Sequence, residues 1–167
     1  MKLYVLRHGP AEDQSASGDD GDRALSAPGR ERVRAVAKVL TDEGEEPAEV
    51  VTSPLVRAVQ TAEIVAVVTK LSDRGGTVTV SRDLAPGGDA VALARRLASQ
   101  GQKRVMLVGH EPDLSHLAEA LLGTFEHPFE KAMVVGLQLP SGAPRARLRF
   151  VLDAKMLRLD PDLRGTS

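Results

Sequence analysis

Short apolar, β-prone runs alternate with amphipathic helical segments along most of this 167-residue chain, and that alternation restricts the fold more than any other feature. Strands joined through helices lie parallel in one sheet, so the pattern predicts an α/β fold with a mainly parallel sheet. Residues 2–7 (KLYVLR) read as a buried strand that runs into a loop at Gly9. Residues 10–24 are rich in Asp, Ser and Gly and read as a loop, with 15–22 its most mobile stretch. Ser26 ahead of Ala27-Pro28-Gly29 reads as a helix cap with Pro in the first turn. Val33, Val36, Ala37 and Leu40 follow at helical spacing, and Gly44 and Pro47 end that helix. Residues 49–52 (EVVT) form a second strand. Ser53-Pro54 opens a second helix to about residue 71, Pro54 taking a first-turn position. Residues 77–82 alternate as a third strand. Asp89 caps a third helix whose apolar residues are Val91, Leu93, Ala94 and Leu97. Residues 104–109 (RVMLVG) form another buried strand, which runs into His110. Pro112 and Asp113 open a fourth helix with Leu114, Leu117, Ala118 and Leu121 on one face. Residues 132–139 and 145–152, separated by a Pro- and Gly-containing turn, predict an antiparallel hairpin at one side of the sheet. The residues beyond about 153 carry no clear pattern.

Composition narrows the function. With 42% hydrophobic residues the chain can bury the core of one ordinary domain, taken to span 1–167. The 22 basic and 23 acidic residues give a formal charge of -1, which supplies no global attraction for nucleic acid or membrane. Any affinity for an anion has to come from a local group of arginines. The absence of cysteine removes disulfides, thiolate nucleophiles and sulfur-ligated metals. Aromatic residues make up 2%, with no Trp, which argues against stacking platforms for bases. The apolar run at residues 1–6 is too short for a signal peptide, and no stretch nears the roughly 20 apolar residues needed to span a bilayer. A cytoplasmic monomer is the expectation.

In open α/β sheets, ligands bind beyond the carboxyl ends of the strands. There the first strand delivers Arg7-His8-Gly9, and the second Thr52-Ser53-Pro54 with Arg57 one helical turn on. The third delivers Asp83, and the fourth Gly109-His110-Glu111-Pro112. These residue types suit phosphoryl transfer. An imidazole with one nitrogen fixed by a backbone carbonyl can attack phosphorus with the other. Arginines bind phosphate oxygens bidentately at any physiological pH. A second, protonated imidazole can stabilise charge on the equatorial oxygens. Gly9 would let the backbone approach the phosphate, and the helix start after Pro54 adds partial positive charge. Each tripeptide alone is a weak signal; their convergence on one sheet edge is not.

At these residues the chain resembles the histidine phosphatase (phosphoglycerate mutase-like) superfamily. The likeness is carried by Arg7-His8-Gly9, by residues 53–62 in the pattern S-P-x-x-R-A-x-Q-T-A, by Val108-Gly109-His110-Glu111-Pro112, and by Leu25-Ser26-x-x-Gly29. Short length and the brief segment from Thr61 to Leu84 make it most similar to the SixA-type phosphohistidine phosphatases, as does Asp83-Leu84-Ala85-Pro86-Gly87-Gly88-Asp89. The resemblance implies a three-layer sandwich with helices on both faces of the sheet. It also implies His8 as nucleophile, a phosphate pocket of Arg7, Arg57 and His110, and Arg23 as a further phosphate contact. No metal and no cofactor enter that scheme.

The general acid is less defined. Asp83 stands where relatives place a Glu, but it reads equally as a turn residue capping the bend at Ala85-Pro86-Gly87. Glu12 and Glu111 are alternatives. An imidazole leaving group needs little acid assistance, so the expected substrate is phosphohistidine on a protein partner. A small phosphometabolite, or phosphoprotein binding with weak catalysis, are the alternatives. His116 reads as a helix-surface residue and His127 as a loop residue. Asp19, Asp20 and Asp22 read as a solvated loop rather than metal ligands.

Overall fold

Lys2–Arg7 forms strand β1 in a computed structural model of the chain that describes residues 1–161. Leu3, Tyr4, Val5 and Leu6 are all fully buried, as befits a strand covered by helices on both faces. Leu3 and Val5 enter one core, and Tyr4 and Leu6 the other, because a pleated strand alternates its side chains.

β1 sits inside a sheet with β2 (Glu49–Thr52), β3 (Val78–Val80), β4 (Arg104–Gly109), β5 (Val134–Gln138), β6 (Arg147–Leu152) and β7 (Leu159–Asp160). The order is β3-β2-β4-β1-β5-β6-β7. β3, β2, β4 and β1 run parallel, while β5, β6 and β7 pair antiparallel in turn. Helices α1 (Ala27–Asp42) and α2 (Val56–Val68) cover one face through Val33, Val36, Leu40, Ala58 and Val65. Helices α3 (Ala90–Ser99) and α4 (Asp113–Leu122) cover the other through Leu93, Leu114, Leu117 and Leu121. The result is the α/β three-layer arrangement with a mostly parallel sheet and a closing hairpin that the sequence predicts.

The helix starts follow their sequence signals. Ser26 Oγ accepts from Gly29 N at 3.1 Å, with Pro28 in the first turn of α1. Asp89 Oδ1 accepts from Ala92 N at 2.9 Å at the start of α3. Gly29 is required by contact, since a Cβ there would lie 1.9 Å from the Pro10 carbonyl oxygen. Far from the strand ends that carry His8 and His110, Glu45 ties three segments together. It accepts from Arg149 at 2.6 and 2.8 Å, from Tyr4 Oη at 2.8 Å and from Lys2 at 3.2 Å.

Several boundaries differ from the sequence reading. α2 begins at Val56, after Pro54, with Leu55 as a cap that makes no side-chain bond. Ser53, the residue with capping chemistry, is engaged elsewhere, as described below. α2 ends at Val68 rather than near 71, where Lys70 takes a left-handed φ of 51°. β3 holds only Val78–Val80, an exposed edge strand. Ser81 then caps a 3-10 turn, Arg82–Leu84, by accepting from Asp83 N. The hairpin strands are shorter than 132–139 and 145–152, and their register shifts between Gly136 and Leu137. β7 lies in the stretch that carried no sequence pattern. Residues 15–22 fold on themselves into a 3-10 turn at Asp20–Asp22, with Ser15 donating to Asp19 O and Ser17 to Asp22 Oδ2.

Candidate active site

From β1 the chain leaves through α1 toward β2; from β4 it leaves through α4 toward β5, in the opposite direction across the sheet. The crevice between β1 and β4 is therefore the topological switch point, the usual ligand position in such sheets. Register fixes what stands there. Arg7 is level with Gly109, and Thr52 with Val108, so Arg7, Gly109 and Ser53 form one row with His8 and His110 just beyond it. Both imidazoles are buried, 6% and 4% exposed, with ring centroids 5.1 Å apart.

His8 is gripped on two sides. Its Nδ1 lies 2.7 Å from the carbonyl oxygen of Gly9, so that nitrogen carries the proton and donates. Its Nε2 is 3.3 Å from Arg57 Nε, an obligatory donor, which leaves the lone pair of Nε2 turned toward the guanidinium. Burial, and then the neighbouring His110, Arg57 and Arg7, push the His8 pKa down to about 3 against the opposing Gly9 carbonyl. The ring is therefore neutral at physiological pH. His110 is lowered to about 4, chiefly by burial and then by Arg57, with Asp113 and Asp20 acting against the shift. The second imidazole, expected from sequence to be protonated, is thus neutral, because burial and Arg57 outweigh the opposing pull of Asp113 and Asp20.

Ser53 orders His110. Its fully buried Oγ is 2.7 Å from His110 Nε2 and also accepts from Leu55 N at 3.3 Å. The hydroxyl keeps one hydrogen and a second lone pair for Nε2, and when it donates there the ring proton lies on Nδ1. That buried Nδ1 has no hydrogen-bond partner among the described residues, nor has the buried Nε of Arg7. Arg7 Nε is necessarily a donor, and a buried donor without a partner marks a site shaped for an acceptor. Arg7 is anchored by Nη1 donating to Phe129 O at 2.6 Å.

Arg57 sits in the first turn of α2, with a side chain only 7% exposed. Thr61, one turn on, donates to Arg57 O at 2.7 Å and accepts from Gly9 N at 3.1 Å, locking the helix start onto the β1 exit. Gly9 therefore has a different use from the one expected. Its N–H is committed to Thr61, and a Cβ there would come 2.6 Å from Val33 Cγ2, so the missing side chain admits α1.

The loop residues also depart from expectation. Arg23 donates to Asp20 Oδ1 at 2.8 Å and to Glu12 O at 2.9 Å. Asp20, read from sequence as solvated, accepts from Arg57 through both its carbonyl, 2.7 Å, and its carboxylate, 3.0 Å. Asp83 is paired with Arg96 at 2.7 Å and with Ser81, and Arg96 holds its carboxyl below the usual range. Glu111 accepts from Ser115, and Glu12 is exposed. His116 and His127 are both on the surface. Ser53, Thr61 and Asp20 are the contributors that the list of candidate residues lacked. The first two lay inside the S-P-x-x-R-A-x-Q-T-A segment, and Asp20 carried no local signal. Among the described residues no cluster of three or more His, Asp or Glu side chains is placed to hold a metal ion, and no helix is long and apolar enough to cross a membrane.

Fold and site define an α/β phosphatase. The chain belongs to the histidine phosphatase superfamily (branch 1), whose pattern matches residues 3–80. It is 31% identical over 124 residues to the phosphohistidine phosphatase SixA of Escherichia coli, covering 72% of this chain and 74% of that protein. An uncharacterised protein of Picosynechococcus is 39% identical over 151 residues, 87% of this chain and 88% of its own. The structure of the protein histidine phosphatase SixA complexed with tungstate superposes with a TM-score of 0.85 at 25% identity, covering 95% of this chain and all of that one.

Proposed function

We propose that the protein hydrolyses phosphohistidine on a protein partner through a covalent phosphohistidine on His8, without a metal ion. The observation that carries this is the tautomer. Nδ1 of His8 is tied to the Gly9 carbonyl, so the lone pair lies on Nε2, where it accepts from Arg57 Nε–H until a phosphoryl group takes that donor, in a pocket where both histidines are neutral. In the first step Nε2 attacks phosphorus while the bond to the leaving nitrogen breaks and its electron pair goes to that nitrogen, the substrate imidazole departing neutral because its other ring nitrogen already carries a proton. In the second, water attacks phosphorus, the P–N bond to His8 breaks with its pair returning to Nε2, and the water's protons leave with the product phosphate. Arg7, Arg57 and the Nδ1–H of His110 supply the donors for the phosphoryl oxygens. The incoming dianion also favours the cationic form of His110, raising its depressed pKa.

Asp83, Glu12 and Glu111 are weak candidates for a strong general acid, since Asp83 is already paired with Arg96 and Glu111 with Ser115. A phosphoramidate leaving group suits that lack, because a protonated imidazole departs far more readily than an alkoxide. The neighbouring E. coli protein is named for phosphohistidine hydrolysis, which agrees with the same reading.

The test is a substrate panel on the parent and on His8→Ala. The parent should prefer a phosphohistidine protein over sugar phosphates, and His8→Ala should turn over neither while remaining folded. Preference for a sugar phosphate would move the assignment to a small metabolite. Residual turnover in His8→Ala would rule out the covalent step.

A further inference from the structure

Arg57 has more holders than a helix-terminal arginine needs. A guanidinium offers two edges for paired bonds, the Nη1/Nη2 end and the Nε/Nη2 side. Here the end is taken by one residue: Nη1 donates to Asp20 O at 2.7 Å and Nη2 to Asp20 Oδ2 at 3.0 Å. The side faces His8, with Nε 3.3 Å from Nε2. Each Nη carries two hydrogens, so the Asp20 contacts leave the side edge available.

We infer that Asp20 is a positioning residue: it holds the end of the Arg57 guanidinium from the loop and so aims the side edge at the reacting nitrogen of His8. The inference rests on the proposal that His8 takes up the phosphoryl group.

The loop is built to do this. Asp20 Oδ1 accepts from Arg23 Nε at 2.8 Å, and Arg23 Nη1 in turn donates to Glu12 O at 2.9 Å. Asp19 Oδ1 accepts from Gly21 N at 2.7 Å, which closes the 3-10 turn that carries Asp20. A bridge between Ala11 and Leu25 ties the base of the loop. Arg23 and Arg57 together hold the Asp20 carboxyl below its usual range, so it stays charged at working pH. The exposed carboxylate thereby links two guanidinium groups in the order Arg23, Asp20, Arg57, His8. Arg23, expected to touch phosphate, acts on the site through Asp20.

A competing role for the same contact is occupancy, with the carboxylate standing where a phosphoryl oxygen must go. The two roles predict opposite changes. A positioning residue preorganises a transition-state donor, so its loss lowers kcat more than it raises KM. A competitor, once removed, frees Arg57 and tightens the binding of phosphate.

The experiment compares parent, Asp20→Ala, Asp20→Asn and the same-loop control Asp22→Asn on p-nitrophenyl phosphate. Inorganic phosphate serves as inhibitor, and hydrogen exchange of the Arg57 Nε–H is followed by NMR. Asp20→Ala should lower kcat by roughly 10–100-fold with KM within about threefold, and should speed Nε–H exchange. Asp20→Asn, which keeps an acceptor of the same shape, should fall between. Asp22→Asn removes the same charge from a carboxylate that accepts from Ser17 Oγ and does not touch Arg57, and should match the parent. Unchanged or raised kcat in Asp20→Ala, tighter phosphate inhibition, or unchanged exchange would overturn the inference. If the phosphatase reading itself fails, the parent shows no turnover that depends on His8, and the exchange measurement still decides what Asp20 does to Arg57.

Discussion

Thr61→Val removes one oxygen and keeps the shape of a fully buried side chain. Thr61 Oγ1 is the partner of Gly9 N–H at 3.1 Å, and the valine methyl leaves that donor buried and unpaired. An orphaned buried amide costs about 1–3 kcal/mol. The second bond of Thr61, to Arg57 O, adds little, because that carbonyl keeps its helical partner, the N–H of residue 61 itself. The expected loss is therefore about 1–3 kcal/mol, read as a lower urea midpoint at unchanged m. In a melt it should lower Tm by roughly 2–12 °C, since domains of this size lose about 2–4 °C per kcal/mol. Turnover should fall as well. The Gly9 peptide held by Thr61 also carries the carbonyl that anchors His8 Nδ1, so the ring loses its fixed tautomer. Thr61→Ser keeps the oxygen and loses one buried methyl, at about 1 kcal/mol, and should retain kcat. A Thr61→Val protein as stable as the parent, or a Thr61→Ser protein equally impaired in kcat, would refute the reasoning.

Acidity should act on the free protein well below the usual histidine range. With His8 near 3 and His110 near 4, kcat/KM corrected for substrate ionisation should show no enzyme inflection between pH 5 and 7; a His-like step near 6.5 would contradict this. The sign for stability is opposite to that of a salt-bridged histidine. The unfolded chain takes up these protons first, so stability falls as pH drops below about 6.5 and levels off below the folded values, a slope that His8→Asn should flatten in urea titrations. Glu45, drawn down to about 2 by Arg149, Tyr4 and Lys2, contributes stability that is complete above about 4.5 and lost as pH falls through about 2. Glu45→Gln should cost on the order of 3 kcal/mol at pH 7 in the same titrations. Gly29→Ala should lower Tm by displacing α1 or the Pro10 segment, a cost of about 1–3 kcal/mol, and a neutral result would show that the close approach relaxes freely.

Much of the fold was legible because its signals are local. The apolar run at 2–7 and the alternation of strands and helices identify a covered parallel sheet, and Ser26 and Asp89 are caps that act within three residues. His8, Arg57 and His110 could be placed at one sheet edge because each follows a strand or its loop directly. What escaped depends on partners distant in sequence. Pro54 falls outside α2, and Ser53, the residue with capping chemistry, reaches His110, a partner 57 residues away that no local rule foretells. Gly9 suits phosphate approach by residue type, but α1 and Thr61 take its space and its N–H. Asp20 reads as one more solvated carboxylate until the loop folds back 37 residues onto Arg57. The neutral state of His110 follows from burial among cations, which composition cannot convey.

The account turns on Nε2 of His8 as the atom that accepts the phosphoryl group. Rapid quenching of the parent with substrate under alkaline conditions, followed by peptide mass spectrometry, measures this directly. One added phosphoryl group, acid-labile and confined to the peptide that contains His8, is the predicted result, and it should be absent from His8→Asn. Phosphate found on His110 or Ser53, or turnover with no labelled peptide at any quench time, would contradict it.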